Sequence, residues 1–211
     1  MLPLTLDLSR LRLALIGAGP AASRRLERLD AAGAKALTVF APEPSVALAT
    51  LAGSRLIARL PEASELADIQ IIFIVGLASA TTADFAGRAR AAGTIVHVED
   101  APAASDVQMP AVLHRGDLTI TVSTGGRSPG LAAEVKRALG RIIGPEWAAR
   151  LGEAGAWRER WRAAGLDPAT LRQRTADRLA ARGWLAFDTG FESHWNGGGA
   201  NDSVGCRVRQ R

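Results

Sequence analysis

Residues 11–29 contain the pattern that most restricts the possible folds of this chain. An apolar run over residues 11–16 predicts a buried strand, and Gly17-Ala18-Gly19 follows it directly. The small side chains of this turn let backbone amides approach a diphosphate, and a helix from about Pro20 adds N–H donors and a positive dipole end. With the small Ala22, the glycines give the G-x-G-x-x-A form of the dinucleotide fingerprint. The pattern predicts nucleotide binding; the alternative is a tight turn that needs glycine only for its backbone angles.

Strand-like apolar segments recur along the first half of the chain, with alanine-rich helical patterns between several of them. This alternation is typical of a parallel sheet with helices on both faces, so we predict an α/β fold with a Rossmann-like parallel sheet. Gly33 and Gly93 are suited to end two of the helices. The predicted strands are residues 11–16, 36–40, 55–60, 69–75 and 94–98.

The pattern changes after Pro110. The runs AVLHR and LTITVS flank Gly116-Asp117, and glycine in the first of two central positions suits a type II′ hairpin turn. Ser128-Pro129 supplies an N-cap and a first helical residue for a helix expected to run to about residue 143. A small α+β region therefore follows the parallel sheet.

Residues 146–185 are arginine-rich and have a helical pattern. Their apolar stripe is expected to pack in a core or a dimer contact, not against nucleic-acid bases. Residues 186–211 are glycine-rich and polar without periodicity, and we predict a mostly disordered tail. The stripe consists of Trp147, Leu151, Trp157 and Trp161.

The composition of the chain indicates the charge of its partner and excludes two kinds of cysteine-based site. The net charge of +5 favours an anionic partner, either a polyanionic small molecule or nucleic acid, although a solvated basic face gives the same balance. Cys206 is the only cysteine, which excludes a disulfide framework and a cysteine-rich metal site. The N-terminus lacks a signal-peptide pattern and no run approaches a membrane span, so we expect a cytoplasmic protein without a membrane partner.

Two carboxylates, Glu99 and Asp100, follow the fifth predicted strand directly. In open α/β sheets, ligands bind outside the carboxyl ends of the strands. Asp100 could there transfer a proton, orient a substrate nitrogen or ligate a metal ion; the alternative is a loop acid that accepts backbone hydrogen bonds before Pro102. Residues 123–129 add hydroxyl groups, flexible backbone and a helix N-terminus, all suited to an anionic group.

Several segments together resemble one known family. GAGPAASRR is followed by TVFAPEP and then by HVEDAPAASDVQMPAVLHRGDLTITVSTGGRSPGLAAEVKRAL. The elements V-x-D-A-P, M-P-A, R-G-D-L and S-T-G-G-x-S-P are similar in order and spacing to those of the precorrin-2 dehydrogenase/sirohydrochlorin ferrochelatase family of siroheme synthesis. The resemblance covers about residues 2–185, and linked motifs are more specific than any one of them.

The resemblance implies a homodimeric enzyme with an NAD-binding Rossmann domain (1–112), a dimerisation region (113–144) and a helical C-terminal domain (145–185). It implies NAD-dependent oxidation of precorrin-2 to sirohydrochlorin, with ferrous iron as a candidate second substrate. Asp100 matches the family aspartate implicated in both reactions. The residues matched to diphosphate binding are Gly17, Gly19, Pro20 and Ala21, and those matched to the adenosine ribose are Ala41, Pro42 and Glu43.

Precorrin-2 carries many carboxylates, so we expect it to bind in a basic pocket that makes charge-assisted hydrogen bonds. Arg137 is a further basic residue that could contribute to this pocket. Ser128 matches a substrate-region serine that is a phosphorylation site in some relatives, and it also suits a helix cap. His97 and His114 are expected to be structural and not iron ligands, so no metal site is predicted. The predicted substrate contacts are Arg115, Arg127, Ser128 and Lys136.

The chain departs from the family pattern at two places. Residues 75–79 read VGLAS where the family has an A-A-T-D-like turn near the nicotinamide, so polar contacts expected there are missing. Phe40 closes the second predicted strand and the first acid after it is Glu43, which leaves the choice between NAD and NADP open.

One other function fits part of the sequence. A non-catalytic NAD-sensing dimeric module would explain the fingerprint and the missing A-T-D turn, but not the D-A-P and S-T-G-G-R-S-P elements. Nucleic-acid binding is not predicted, because the basic residues are spread among tryptophans and acids instead of forming one dense patch.

Overall fold

The structure is a computed structural model, and it describes residues 2–186. These residues form two compact units: residues 2–112 with 121–135, and residues 113–120 with 136–186. Residues 121–135 therefore cluster with the sheet, whereas the sequence-based division assigns them to a separate region; the domain boundaries stay a prediction. Apart from Ala186, the predicted tail lies outside the described residues. Between residues 2 and 186, no helix is long and apolar enough to cross a lipid bilayer.

A five-stranded parallel sheet forms the first unit. Its strands are β1 (Arg12–Gly17), β2 (Ala36–Phe40), β3 (Leu56–Ile57), β4 (Ile71–Val75) and β5 (Ile95–Val98), and helices α1 (Gly19–Ala31), α2 (Val46–Ala52), α3 (Ala63–Leu66) and α4 (Ser79–Ala91) lie between them in sequence. The order in the sheet is β3-β2-β1-β4-β5. Because β1 pairs with β2 on one side and β4 on the other, the strand order reverses at β1, and ligands of such sheets bind at this point.

Both faces of the sheet are buried, because alternate side chains of each strand point to opposite helix layers. On one face, Leu13 and Leu15 of β1 share a core cluster with Leu26 of α1. On the other face, Ile16 of β1 shares a second cluster with Phe85 of α4. Burial on both sides explains why the strands are continuous apolar runs, and it confirms the predicted α/β class with a Rossmann-like sheet.

The edge strand β3 contains only Leu56–Ile57, although the sequence predicts a strand over residues 55–60. Arg55 ends a preceding 3-10 turn, and its guanidinium Nη2 lies 3.0 Å from Oδ2 of Asp30 on α1. After β3, the N–H of Arg59 donates to the Ile57 carbonyl at 2.8 Å, which turns the chain. Turns on both sides therefore limit the strand.

A hairpin and a long helix follow the sheet. The hairpin strands are β6 (Ala111–Arg115) and β7 (Leu118–Val122), and the helix is α5 (Pro129–Ile142). Gly116 has a φ of +58° and Asp117 does not have a positive φ, as a type II′ turn requires. Ser128 caps α5, because its Oγ accepts a hydrogen bond from the Leu131 N–H at 3.3 Å. Both features agree with the sequence prediction.

The arginine-rich region forms two helices, α6 (Trp147–Ala163) and α7 (Pro168–Ala181). Gly165, with a φ of +77°, and the capping residue Asp167 explain the break, since the Asp167 carboxylate accepts from the Thr170 N–H at 3.1 Å. Trp157 is buried and stacks on Trp184 with ring centroids 5.3 Å apart. Trp157 of the apolar stripe thus contributes to the core of the second unit, whereas Leu151 is exposed.

Candidate functional site

The glycine turn between β1 and α1 is open to an anion. A Cβ on Gly17 would lie 2.8 Å from the Cβ of Ala22, so both positions are small because strand and helix pack tightly. Gly19 has a φ of +67°, and a Cβ there would meet nothing within 4 Å. The N-cap residue Ala18 makes no side-chain cap hydrogen bond, and Pro20 has no N–H. The amide donors of the first helical turn can therefore bind a diphosphate.

The residues matched to the ribose lie at the same edge of the sheet, because β2 runs parallel to β1 and pairs with it. Ala41 is buried, and its N–H donates to the Ile57 carbonyl at 3.0 Å. Pro42 and Glu43 are exposed, and Ser45, two residues after Glu43, caps α2. Glu43 therefore presents a carboxylate just beyond the end of β2.

The segment that departs from the family pattern contacts the glycine turn through its backbone. The Ala18 N–H donates to the Val75 carbonyl at 3.1 Å. Gly76 has a φ of +65°, and a Cβ there would lie 2.6 Å from the Ala18 carbonyl oxygen, so a side chain does not fit without a backbone shift. Leu77 packs against the apolar core. Glycine at this position thus permits a close approach of the two loops.

Asp100 follows β5 and has an exposed side chain. Its φ is +56°, and it is the one non-glycine residue with a positive φ between residues 2 and 186. Aspartate adopts this conformation more readily than most residues, so the cost is about 1 kcal/mol, and neighbours that hold the loop help to maintain it. The neighbours here are the Glu99 N–H, which donates to the Ile74 carbonyl at 2.9 Å, and the Ser105 hydroxyl, which donates to the Ala101 carbonyl at 3.0 Å.

Glu99 forms a partly buried ion pair with Arg25, a pairing that sequence reasoning missed. Arg25 lies on α1 and donates to Glu99 Oε2 from both Nε, at 3.1 Å, and Nη2. Burial acts to raise the pKa of Glu99, but the hydrogen bonds and charge of Arg25 outweigh it and hold the pKa below its usual value of 4.5. The signal available in the sequence was the position of Arg25 between Ala22 and Leu26 on the apolar face of α1, which indicates that Arg25 is buried.

His97 lies beneath this ion pair. Its Nδ1 is 3.1 Å from the Val107 carbonyl, and its Nε2 is 3.4 Å from Nη2 of Arg25. Burial lowers the pKa of His97 below its usual value of 6.5, so the ring is neutral at pH 7. Because Arg25 can only donate, Nε2 must accept and Nδ1 must carry the proton.

Neither predicted structural histidine stands in a cluster of metal-ligating side chains. His114 is exposed, with Nδ1 3.2 Å from Oγ1 of Thr119. Within the described part of the chain, no group of three or more histidine, cysteine, aspartate and glutamate side chains could hold a metal ion.

The loop of residues 123–129 packs against the segment that follows Asp100. A Cβ on Gly126 would lie 3.0 Å from the Cβ of Pro102, so the backbone of the loop approaches this proline closely. Arg127 is exposed, and Ser128 is half-buried as the cap of α5. Two of the predicted substrate contacts therefore belong to a loop that is packed beside the Asp100 segment.

The other two predicted substrate contacts, Arg115 and Lys136, belong to the second unit. The Arg115 guanidinium donates to the carbonyls of Ile143 at 2.7 Å and Gly140 at 3.0 Å, which stabilises the end of α5. Lys136 is half-buried on the same helix. The contacts of Arg115 give it a structural role, and substrate binding by either residue stays a prediction.

Comparisons with known proteins agree with this architecture. Residues 4–111 match the family model described as "Putative NAD(P)-binding", and residues 115–141 match the one described as "Sirohaem biosynthesis protein central". The siroheme synthase of Methylococcus capsulatus is 33% identical over 186 residues, which are 85% of this chain and 39% of that protein. The siroheme synthase of Pseudomonas entomophila is 33% identical over 165 residues, 77% of this chain and 35% of that protein.

A solved structure, SirC, precorrin-2 dehydrogenase, has the same fold, with a TM-score of 0.67 at 20% identity over 88% of this chain and 92% of that chain. The chain spans less than half the length of the two curated relatives. The two family models nevertheless match in the order that the sequence motifs predict. The chain belongs to the precorrin-2 dehydrogenase/sirohydrochlorin ferrochelatase family.

Proposed function

We propose that the chain catalyses the NAD-dependent dehydrogenation of precorrin-2 to sirohydrochlorin in siroheme biosynthesis. The observation that carries the proposal is that the glycine turn and Asp100 follow β1 and β5, with only β4 between them. Neighbouring strands are about 4.8 Å apart, so the two strand ends are about 10 Å apart. This span suits a dinucleotide whose diphosphate lies at the turn and whose reactive ring faces Asp100.

Backbone groups hold the cofactor in this proposal. The diphosphate lies against the turn residues Gly17, Gly19, Pro20 and Ala21. Ala41, Pro42 and Glu43 border the adenosine ribose. The exposed Glu43 carboxylate can accept hydrogen bonds from ribose hydroxyls and would repel a 2′-phosphate, which favours NAD over NADP.

Oxidation of precorrin-2 removes a hydride and a proton. Bound NAD+ supplies the hydride acceptor. Asp100 is the group proposed to accept the proton or to orient the macrocycle, because its carboxylate is exposed while backbone contacts hold the loop around it.

The carboxylates of the substrate call for several positive groups. Arg127 and Ser128 are proposed as contacts because their loop packs beside the Asp100 segment. Lys136 and Arg115 complete the proposed set. For Arg115 the proposal requires a substrate contact in addition to the carbonyls that it already binds.

The family also suggests a second activity, an assembly and a location. We propose insertion of ferrous iron into sirohydrochlorin, with iron as a substrate and Asp100 as the base that takes the two pyrrole protons one at a time and passes them to water. A homodimer formed through residues 113–144 and a cytoplasmic location belong to the same proposal.

The alternative is a non-catalytic NAD-sensing module, which the lack of a polar side chain at residues 75–78 favours. An anaerobic reaction of purified protein with precorrin-2 and NAD+ separates the two. The dehydrogenase produces the sirohydrochlorin spectrum and an equal amount of NADH, whereas the sensor shows NAD+ binding by calorimetry without either product. Ferrous iron added afterwards converts the spectrum to that of siroheme only if the second activity is present.

A further inference from the structure

Arg25 is the one buried lysine or arginine between residues 2 and 186, with 4% of its surface exposed. A buried charge is costly to the fold unless it is paired and hydrogen-bonded. Besides Glu99, the Arg25 guanidinium faces Nε2 of His97 at 3.4 Å, the sulfur of Met109 and, at 5.9 Å, the ring centroid of Phe73. A helix that only had to cover the sheet would place an apolar residue here.

The ion pair joins two parts of the proposed site. Arg25 is six residues after Gly19 on α1, which corresponds to about 9 Å along the helix axis from the diphosphate turn. Glu99 is bonded directly to Asp100 through the peptide link. The pair therefore connects the cofactor-binding helix with the residue before the proposed base, across 74 positions of sequence.

Asp100 depends on its neighbours for its orientation. Its side chain is exposed, and the backbone of the loop sets the direction of its Cα–Cβ bond and so the region that the carboxylate can reach. On the C-terminal side of Asp100, the Ser105 hydroxyl accepts a hydrogen bond from the Val98 N–H at 2.9 Å and donates one to the Ala101 carbonyl. On the N-terminal side of Asp100, the Glu99 side chain is held by Arg25. Without that restraint, a residue with a positive φ can relax to a negative φ and rotate its carboxylate away.

We propose that Arg25 and Glu99 are positioning residues, whose ion pair holds Asp100 in the orientation required for dehydrogenation of precorrin-2. The inference rests on the proposed function. It concerns turnover and not cofactor affinity, because neither side chain is among the groups proposed to touch NAD.

The test compares Glu99→Gln, Arg25→Met and the double variant with the wild type. We expect kcat for precorrin-2 to fall about ten- to a hundredfold in Glu99→Gln, as for misplaced catalytic groups, while KM and the NAD+ dissociation constant change less than about twofold. The kcat of the double variant should be no lower than that of Arg25→Met, because the same ion pair is already broken in Arg25→Met. Asp30→Asn, which breaks the ion pair of α1 with Arg55, is the matched control and should retain wild-type kcat.

Amide hydrogen exchange supplies a readout that needs no turnover. In Glu99→Gln, the peptide over residues 99–105 should exchange faster, while the peptide over residues 12–17 should not change. Unchanged exchange at 99–105, or a Glu99→Gln variant with wild-type kcat, overturns the positioning role. A wild-type protein without turnover contradicts the proposed function instead, and the exchange result still decides whether the ion pair holds the loop.

Discussion

Gly76 lies so close to Ala18 that a Cβ at Gly76 would come within 2.6 Å of the Ala18 carbonyl oxygen. The positive φ of Gly76 adds strain to any replacement. The contact joins the end of β4 to the turn that is proposed to hold the diphosphate.

Gly76→Ala should therefore displace the glycine turn. We expect the NAD+ dissociation constant to rise at least about tenfold and the free energy of unfolding to fall by about 1–3 kcal/mol. Calorimetry and urea unfolding measure the two effects. The control is Gly87→Ala, a helical position with no atom within 4 Å of the added Cβ, which should gain about 0.5–1 kcal/mol. Equal NAD+ affinity in the two variants would contradict the role of the contact.

Glu43 is predicted to set the preference for NAD. Replacing it in Glu43→Arg exchanges a repulsive carboxylate for a group that can pair with a 2′-phosphate. The ratio of kcat/KM with NADP+ to kcat/KM with NAD+ should rise at least about tenfold, as a charge-assisted contact of about 1.5–3 kcal/mol allows. Steady-state kinetics with both cofactors measure this ratio. An unchanged ratio would mean that the adenosine ribose does not lie beside Glu43.

Arg115 and Arg127 should respond differently to the same substitution. Arg115→Met removes the hydrogen bonds to the Ile143 and Gly140 carbonyls, so the free energy of unfolding should fall by about 1.5–3 kcal/mol. Arg127→Met replaces an exposed guanidinium by an uncharged group, so it should raise KM for precorrin-2 without loss of stability. Urea unfolding and steady-state kinetics on both variants test this. If Arg115→Met raises KM at unchanged stability, its main role is substrate binding.

The stability of the fold should decrease in acid because of His97. Burial holds its pKa below 6.5, so the unfolded chain binds the proton at a higher pH than the folded protein does. The stability contributed by neutral His97 is therefore fully present above pH 6.5 and is lost as the pH falls through the pKa of His97 in the folded protein. The free energy of unfolding falls over this range by no more than about 1.4 kcal/mol per pH unit. Glu99, whose pKa lies below 4.5, contributes in the same direction at lower pH.

Urea unfolding at pH 7 and pH 5 measures the effect of His97. In His97→Gln, the loss of stability between these two pH values should be smaller than in the wild type. The same loss in both proteins would mean that His97 does not titrate differently in the folded and unfolded states.

Local patterns were sufficient to predict the sheet and the glycine turn. The G-x-G-x-x-A spacing and the apolar runs are properties of short segments, and β1, β2, β4 and β5 lie where those runs are. The pairing of Arg25 with Glu99 joins residues 74 positions apart, and no local periodicity reports such a contact. Similarly, Arg115 looks like any basic residue in sequence, whereas its carbonyl partners are fixed only when the hairpin and α5 pack together.

Asp100→Asn keeps the size of the side chain and removes its basicity, so it tests whether the Asp100 carboxylate acts in the oxidation of precorrin-2. Its NAD+ affinity by calorimetry and its anaerobic conversion of precorrin-2 should be measured on the same preparation. We expect the NAD+ dissociation constant to stay within about twofold of the wild type and kcat to fall about a hundredfold or more, as for the loss of a general base. Wild-type conversion by Asp100→Asn would contradict the proposed role of Asp100 as the base.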